Sequence, residues 1–298
     1  MKSLTASPKL CSLCHSPNVS IEPCFFQSYP QGNGSALRHG YYYCQDCRGM
    51  FVWPVYTVEQ ITKHWRLVAY SDPVQNINFQ ALKSHLEIKL LKKLYKLAKG
   101  KRLLDYGCAF GNFMSKAKEQ GFDVEGLDPN PQAIKSLNEK GFTSHHAWTM
   151  KELAFPSSCF DVIVALDSFC FTWDPYETLE EFYRVLSPSG ILAMRISNKR
   201  LYIEAILRAL KPGSKQEALL DRIVMKQFHS ISLRLLKSIL SKIGFQVIKL
   251  EGAPTAPFWK MQWPGRISYA IAEIAYILSL GKLVSHPGVL LIAHKVER

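Results

Sequence analysis

From Phe79 the apolar positions keep a helical beat. Phe79, Leu82, Leu86, Leu90, Leu94 and Leu97 recur at three- and four-residue spacing, which predicts a helix over about 79–99. The period then changes. Arg102 to Tyr106 reads as a buried strand, 107–111 as a tight turn, 112–120 as a helix and Asp123 to Asp128 as a second strand, with a helix starting near Pro131. Further along, 160–166 reads as a strand, 176–186 as a helix, 191–196 as a strand, 233–243 as a helix, and 245–250 and 289–293 as strands. Strands separated by helix-length crossovers must pair in parallel, with right-handed connections, so the pattern predicts a doubly wound α/β sheet. Ligands of such sheets sit beyond the carboxyl ends of the strands, and the 107–111 turn falls there.

The 298 residues, 47% of them apolar, allow one full-sized domain and a small module. The longest apolar stretch, 267–284, is broken by Glu273, Ser279 and Lys282, and no charged start with an apolar run marks a secretory leader. The expectation is a cytoplasmic chain without a transmembrane segment. The formal charge of +13 attracts phosphates, whether of nucleic acid, a nucleotide-linked substrate or an anionic membrane. Much of that charge lies on one helical stretch, at Lys89, Lys92, Lys93, Lys96, Lys99 and Lys101, where a plain solvated face explains it as well.

Four of the eight cysteines form two Cys-x-x-Cys pairs, Cys11 with Cys14 and Cys44 with Cys47. Two such pairs can offer four thiolates to one tetrahedral Zn²⁺. A four-sulfur shell leaves no open position, so the metal would be structural and would hold together a segment too small and too rich in Gly and Ser to fold alone. Between the pairs, 31–35 is turn-forming and Tyr41 to Tyr43 has strand character, which predicts a zinc ribbon. The expected domains are the ribbon over 1–56, a linker with N-terminal helices over 57–100, and the α/β domain over 101–298.

The run Leu103-Leu-Asp-Tyr-Gly-Cys-Ala-Phe-Gly111 carries the candidate chemistry. Gly107 and Gly111 permit a sharp turn and close approach of a ligand to the backbone, and Asp128 ends the next strand, where a carboxylate can accept both ribose hydroxyls. A nicotinamide dehydrogenase would place Gly-x-Gly-x-x-Gly here and expose a helix N-terminus to pyrophosphate. An acidic residue, Asp105, suits instead a ligand with a cationic amino group and no phosphate, such as S-adenosylmethionine.

These residues resemble the first motif of the class I S-adenosylmethionine-dependent methyltransferases, an acidic residue followed by Gly-x-Gly-x-Gly or a near variant. The stretches 152–161, 184–190 and 229–245 are similar to that family's lead into the fourth strand, its turn before the fifth and its late helix. The resemblance implies a seven-stranded, mostly parallel Rossmann-like sheet. It also implies a cofactor site formed by Asp105, Tyr106, Gly107, Ala109, Gly111, Asp128, Pro129, Thr149, Met150 and Asp167. Ala109 replaces the middle glycine, Thr149 stands where an acid often contacts adenine, and Cys170-Phe171 replaces a common Glu-His pair. The ribbon, with Tyr43 to Pro54 and Thr57 to Ile61, resembles the N-terminal module of bacterial methyltransferases that act on sugars, surface glycans and secondary metabolites. That resemblance implies a small-molecule or glycan-linked acceptor.

Methyl transfer is an in-line displacement, so the protein must position donor and acceptor and, for a hydroxyl or carbon acceptor, remove a proton. His145, His146, His229 and Tyr176 are candidate bases, although a histidine ahead of a Ser-rich helix start also suits capping. The insertion 254–287, with Phe258, Trp259, Trp263, Tyr269, Tyr276, Lys260 and Arg266, reads as a substrate lid, an amphipathic surface for a lipid-linked acceptor, or a helix filling a groove of its own domain, and peripheral membrane contact by the chain is a further expectation. The basic stretch 198–227 reads as a cover for the acceptor or as solvated helix surface. Two rival functions are an RNA base methyltransferase that uses the ribbon to bind RNA, and an inactive binding protein with this fold.

Overall fold

A computed structural model of the chain describes residues 8–30, 36–64, 73–211, 213–224, 227–254, 263–280 and 283–297. The residues gather into two compact units, one made of 1–73 with 197–236 and the other of 74–196 with 237–298. Each takes chain from two separate stretches. The sequence-based boundaries at 56 and 100 stand beside this as a proposal for where independently folding parts begin. Labels below follow chain order across both units.

In the first unit, strands β1 (Phe25–Pro30), β2 (Ala36–Tyr43) and β3 (Met50–Trp53) form an antiparallel meander. Helix α1 (Val58–His64) follows it. From the later stretch come helices α6 (Arg200–Ala209) and α7 (Ser214–Val224) and the two-residue strand β9 (His229–Ser230). β9 extends the meander by pairing antiparallel with β3, His229 opposite Phe51. Leu13, Tyr42 and Phe51 are buried around Cys11 and Cys44 in a core of their own. The Tyr56 ring packs 5.9 Å from that of Phe228, and its hydroxyl donates to the Gln27 amide oxygen at 3.1 Å.

The second unit holds the seven-stranded sheet. It opens with helix α2 (Pro73–Leu97) and alternates β4 (Arg102–Tyr106), α3 (Asn112–Glu119), β5 (Asp123–Asp128), α4 (Pro131–Glu139) and β6 (Thr143–His146). β7 (Phe160–Leu166), α5 (Pro175–Val185), β8 (Leu186–Ser197), α8 (Leu233–Ile243), β10 (Phe245–Gly252), α9 (Trp263–Leu278) and β11 (Gly288–Lys295) complete the order. Across the sheet the strands run β10-β11-β8-β7-β4-β5-β6. Neighbours from β8 to β6 pair in parallel, and β11 runs antiparallel to β10. The predicted doubly wound, mostly parallel sheet is the observed one.

Local chemistry explains the element ends. Asn130 caps α4, its amide oxygen accepting from the N–H of Gln132 at 3.0 Å, with Pro131 in the first turn where a missing N–H costs nothing. Asp174 caps α5 in the same way, accepting from Tyr176 and Glu177 at 2.9 and 3.0 Å. The core unites Leu90 and Leu94 of α2, Phe113 and Met114 of α3, and Leu103, Val162 and Ile292 of the sheet. α2 begins at Pro73, six residues before the first position of the apolar beat. β6 had no strand signal in sequence, because Thr143-Ser-His-His146 is polar and gains its strand form only by pairing with β5.

Candidate functional site

The strand order reverses between β4 and β7, and the glycine turn leaves β4 at that point. Gly107 and Gly111 both adopt left-handed backbone, φ +81° and +79°. A β-carbon at Gly107 would lie 2.3 Å from the Ser168 side chain, and one at Gly111 would lie 2.2 Å from Leu137. The protein's own packing therefore requires both glycines. Ser168 closes the loop from the neighbouring strand end, its hydroxyl donating to the Tyr106 carbonyl at 2.5 Å. Ala109 also takes positive φ, +46°, without being a glycine.

Asp128 ends β5 beside this turn and is buried. One carboxylate oxygen accepts the Ala109 N–H at 2.8 Å, and the other accepts the Asn130 N–H at 2.8 Å. Burial raises its pKa to about 6, although both backbone donors pull the other way. Each oxygen keeps a further lone pair for a hydroxyl donor. Asp105 sits one strand over, buried inside β4, opposite Gly126 of β5 and Val164 of β7.

The remaining predicted residues fall around the same strand ends. Tyr106 is the last residue of β4, its buried ring edge-on to Phe182 at 5.1 Å, and Pro129 follows Asp128 directly. Thr149 precedes a short 3₁₀ turn, Met150–Leu153, and with Trp148 it donates its backbone N–H to the Glu152 carboxylate, at 2.8 and 3.2 Å. Met150 is buried. Glu152 thus caps the start of this turn. Asp167 follows β7 with φ +64° and forms an ion pair with Arg195 of β8.

Arg195 was not foreseen as a site residue. It is buried, and its Nε donates to the Ala253 carbonyl at 3.0 Å, so it ties the end of β10 to the turn after β7. The signal lay in the sequence: a lone arginine within the apolar run 191–196.

The candidate bases separate. His145 and His146 lie on edge strand β6, His145 Nε2 2.9 Å from the Glu125 carboxylate and His146 Nε2 3.1 Å from the Pro129 carbonyl. Tyr176 is in the first turn of α5. His229 belongs to β9 of the other unit, and the helix it was expected to cap is capped by Ser232, whose hydroxyl accepts the Leu235 N–H at 3.2 Å. In the insertion, Phe258, Trp259 and Lys260 lie outside the described residues.

In the first unit, the sulfurs of Cys11, Cys14, Cys44 and Cys47 all lie within 4.8 Å of one another. The Cys11–Cys47 and Cys14–Cys44 separations are 3.8 and 3.6 Å, close to the roughly 3.8 Å edge of a tetrahedron with zinc–sulfur bonds of about 2.3 Å. The two pairs are built alike. His15 and Arg48, the residues after each pair, are left-handed (φ +58° and +57°) and donate N–H to the Cys11 and Cys44 carbonyls at 2.9 and 3.0 Å. Leu13 and Gly49 N–H groups point at the Cys11 and Cys47 sulfurs, both at 3.3 Å, as donors that stabilise thiolates. The donor set fits a four-thiolate zinc site.

A sequence profile described as "Methyltransferase domain" matches residues 79–250, more than half of the chain. The chain belongs to that family. The recognition of a class I S-adenosylmethionine-dependent methyltransferase from the glycine turn and Asp128 is borne out. Among curated relatives, 2-methyl-6-phytyl-1,4-hydroquinone methyltransferase of Synechocystis is 32% identical over 109 residues, 35% of this chain and 34% of that protein. Ubiquinone biosynthesis O-methyltransferase of Azorhizobium caulinodans is 25% identical over 179 residues, 57% of this chain and 70% of that protein. The matched part is thus about a third of the first relative's length. Among solved structures, a Listeria monocytogenes protein described as an S-adenosylmethionine dependent methyltransferase superposes with a TM-score of 0.53 at 17% identity, covering 73% of this chain and all of that one. That likeness concerns the fold.

Proposed function

We propose that the chain transfers a methyl group from S-adenosylmethionine to a small-molecule acceptor. The observation that carries the reading is Asp128, a buried carboxylate beside the glycine turn whose two oxygens are each anchored by one backbone N–H and each retain a lone pair. The family's donor would place its ribose hydroxyls there, Asp105 would face its amino group, and Gly107 to Gly111, Pro129, Thr149, Met150 and Asp167 would complete the pocket. When bound, the sulfonium supplies an activated methyl. The protein's part is to orient it and to hold the acceptor in line.

The names of the relatives support the acceptor class. Both the phytyl hydroquinone and ubiquinone named there are small and lipophilic, and we extend that class to this chain as the proposed acceptor. The sugar, glycan-linked and RNA acceptors rest on the resemblance of the ribbon and on net charge alone. The four-cysteine site is proposed to hold structural Zn²⁺, with no part in the transfer, since four thiolates leave no position for substrate.

The test is calorimetric titration with S-adenosylmethionine, S-adenosylhomocysteine and NADH, followed by mass-spectrometric assay of methyl transfer to short-chain quinol acceptors. Binding of the first two ligands at micromolar order, roughly −8 kcal/mol, with a mass gain of one methyl on the quinol, is the expected result. Failure to bind the sulfonium ligand would return the chain to the reading of an inactive fold relative.

A further inference from the structure

α9 carries an apolar face that nothing else among the described residues covers. Ile267, Ile271, Ile274 and Leu278 follow the i, i+4, i+7, i+11 spacing of one helical side, and each is 54–79% exposed. Ile277 adjoins them, and the exposed Leu280 and Leu283 follow beyond the helix end. Single exposed aliphatics are ordinary, but a contiguous stripe marks an interaction surface.

The other side of α9 is committed. Tyr269 and Tyr276 pack their rings 4.9 and 5.9 Å from the buried His286 ring, and Ala272 is buried. Glu273, the only acidic residue of the helix, accepts a hydrogen bond from His286 Nε2 at 2.9 Å on that inner side. The outward stripe therefore has no negative charge of its own. A cavity of about 250 Å³ separates the inner side of α9 from α2, and Lys89 and Lys93 line it together with Tyr269 and Tyr276. Lys93 is neutralised by Glu251 at 2.7 Å, whereas Lys89, Lys92 and Lys96 are exposed on α2.

We propose that α9 is an interfacial helix that seats the chain on an anionic lipid bilayer. The aliphatic stripe would enter the boundary between headgroups and acyl chains, and the α2 lysines beside α9 would meet lipid phosphates. No helix among the described residues is long and apolar enough to cross a membrane, so the contact is in the plane of the surface. Charge selects the bilayer over a second copy of the chain: each copy carries a formal +13, which opposes self-association and complements an anionic surface. The surface stands on α9 and α2 alone and does not depend on the methyl-transfer reading.

The experiment is co-sedimentation of the full chain with vesicles of phosphatidylcholine alone and of phosphatidylcholine mixed with phosphatidylglycerol. The expected result is binding to the mixed vesicles that weakens with added salt, and at least about tenfold weaker partition for the Ile271→Glu/Ile274→Glu double variant. Both positions are exposed, and unchanged circular dichroism would confirm that the variant is folded. Lys89→Glu/Lys92→Glu supplies an independent arm and is expected to reduce binding to the mixed vesicles. The proposal is overturned if the wild-type chain leaves mixed vesicles unbound, if the double variant partitions equally, or if the wild type is a dimer that the double variant converts to monomer. A chain that binds vesicles but no S-adenosylmethionine would refute the proposed activity and leave this surface in place.

Discussion

The Asp128 carboxylate accepts the N–H of Ala109 at 2.8 Å, so the residue closing β5 also fixes the crest of the glycine turn that leaves β4. Ligand carboxylate and ligand loop are thus one hydrogen-bonded unit. Replacing Asp128 by Asn keeps the size and removes the charge, and is expected to weaken S-adenosylmethionine binding by at least tenfold, about 1.5–3 kcal/mol for a charged acceptor. Calorimetry checks this, and an affinity equal to wild type would remove Asp128 from the donor site.

The raised pKa of Asp128 sets a pH dependence with a definite sign. Its carboxyl holds a proton to about pH 6 in the folded chain, against 3.8 for an ordinary aspartate in the unfolded chain. Stability from this group is fully present below that unfolded value and is lost as pH rises through 6. Ribose hydroxyls donate to the ionised form, so cofactor affinity should move in the opposite direction, falling about fivefold from pH 6 to pH 5. Urea melts of the free protein and titrations across this window read the two effects separately.

Ala109 sits at φ +46°, where a β-carbon costs roughly 1–2 kcal/mol. Ala109→Gly relieves that strain and loses about 0.4–1 kcal/mol to the freer unfolded chain. The expected outcome in chemical denaturation is a variant as stable as the wild type or about 0.5 kcal/mol more so. A loss of about 1 kcal/mol, the usual sign for Ala→Gly, would contradict the left-handed assignment.

Cys44→Ser removes one of the four converging sulfurs. Zinc content by atomic spectroscopy should fall from one per chain in the wild type, and the first unit should lose its protection in hydrogen exchange, as it should on chelation of the wild type. A wild-type chain that folds fully without metal would exclude the zinc site.

Arg195→Met deletes the buried partner of Asp167 and the donor to the Ala253 carbonyl. The expected cost is about 2–4 kcal/mol in a denaturant melt, since a partly buried carboxylate and a carbonyl each lose a partner. A change under about 0.5 kcal/mol would show that the pair is solvent-compensated.

The sequence by itself determined the strand and helix alternation of the second unit, because apolar period and capping chemistry are local. Arg102 to Tyr106 and Asp123 to Asp128 emerged with the boundaries read from the chain, and Pro131 marked the α4 start. It also determined the two cysteine pairs, whose spacing is itself the ligand geometry. Tertiary structure decided what depends on partners far along the chain. β6 exists because β5 offers it a ladder, and His229 pairs with Phe51, 178 positions away, to add a fourth strand to the ribbon sheet. The stretch 198–227, read from sequence as a cover for the acceptor, joins the unit of the ribbon. Asp167 meets Arg195, and Ser168 fills the space that only glycine leaves at 107. Periodicity reports which face of an element is apolar; which neighbour meets that face is set by three-dimensional packing and hydrogen-bond satisfaction, which no local pattern encodes.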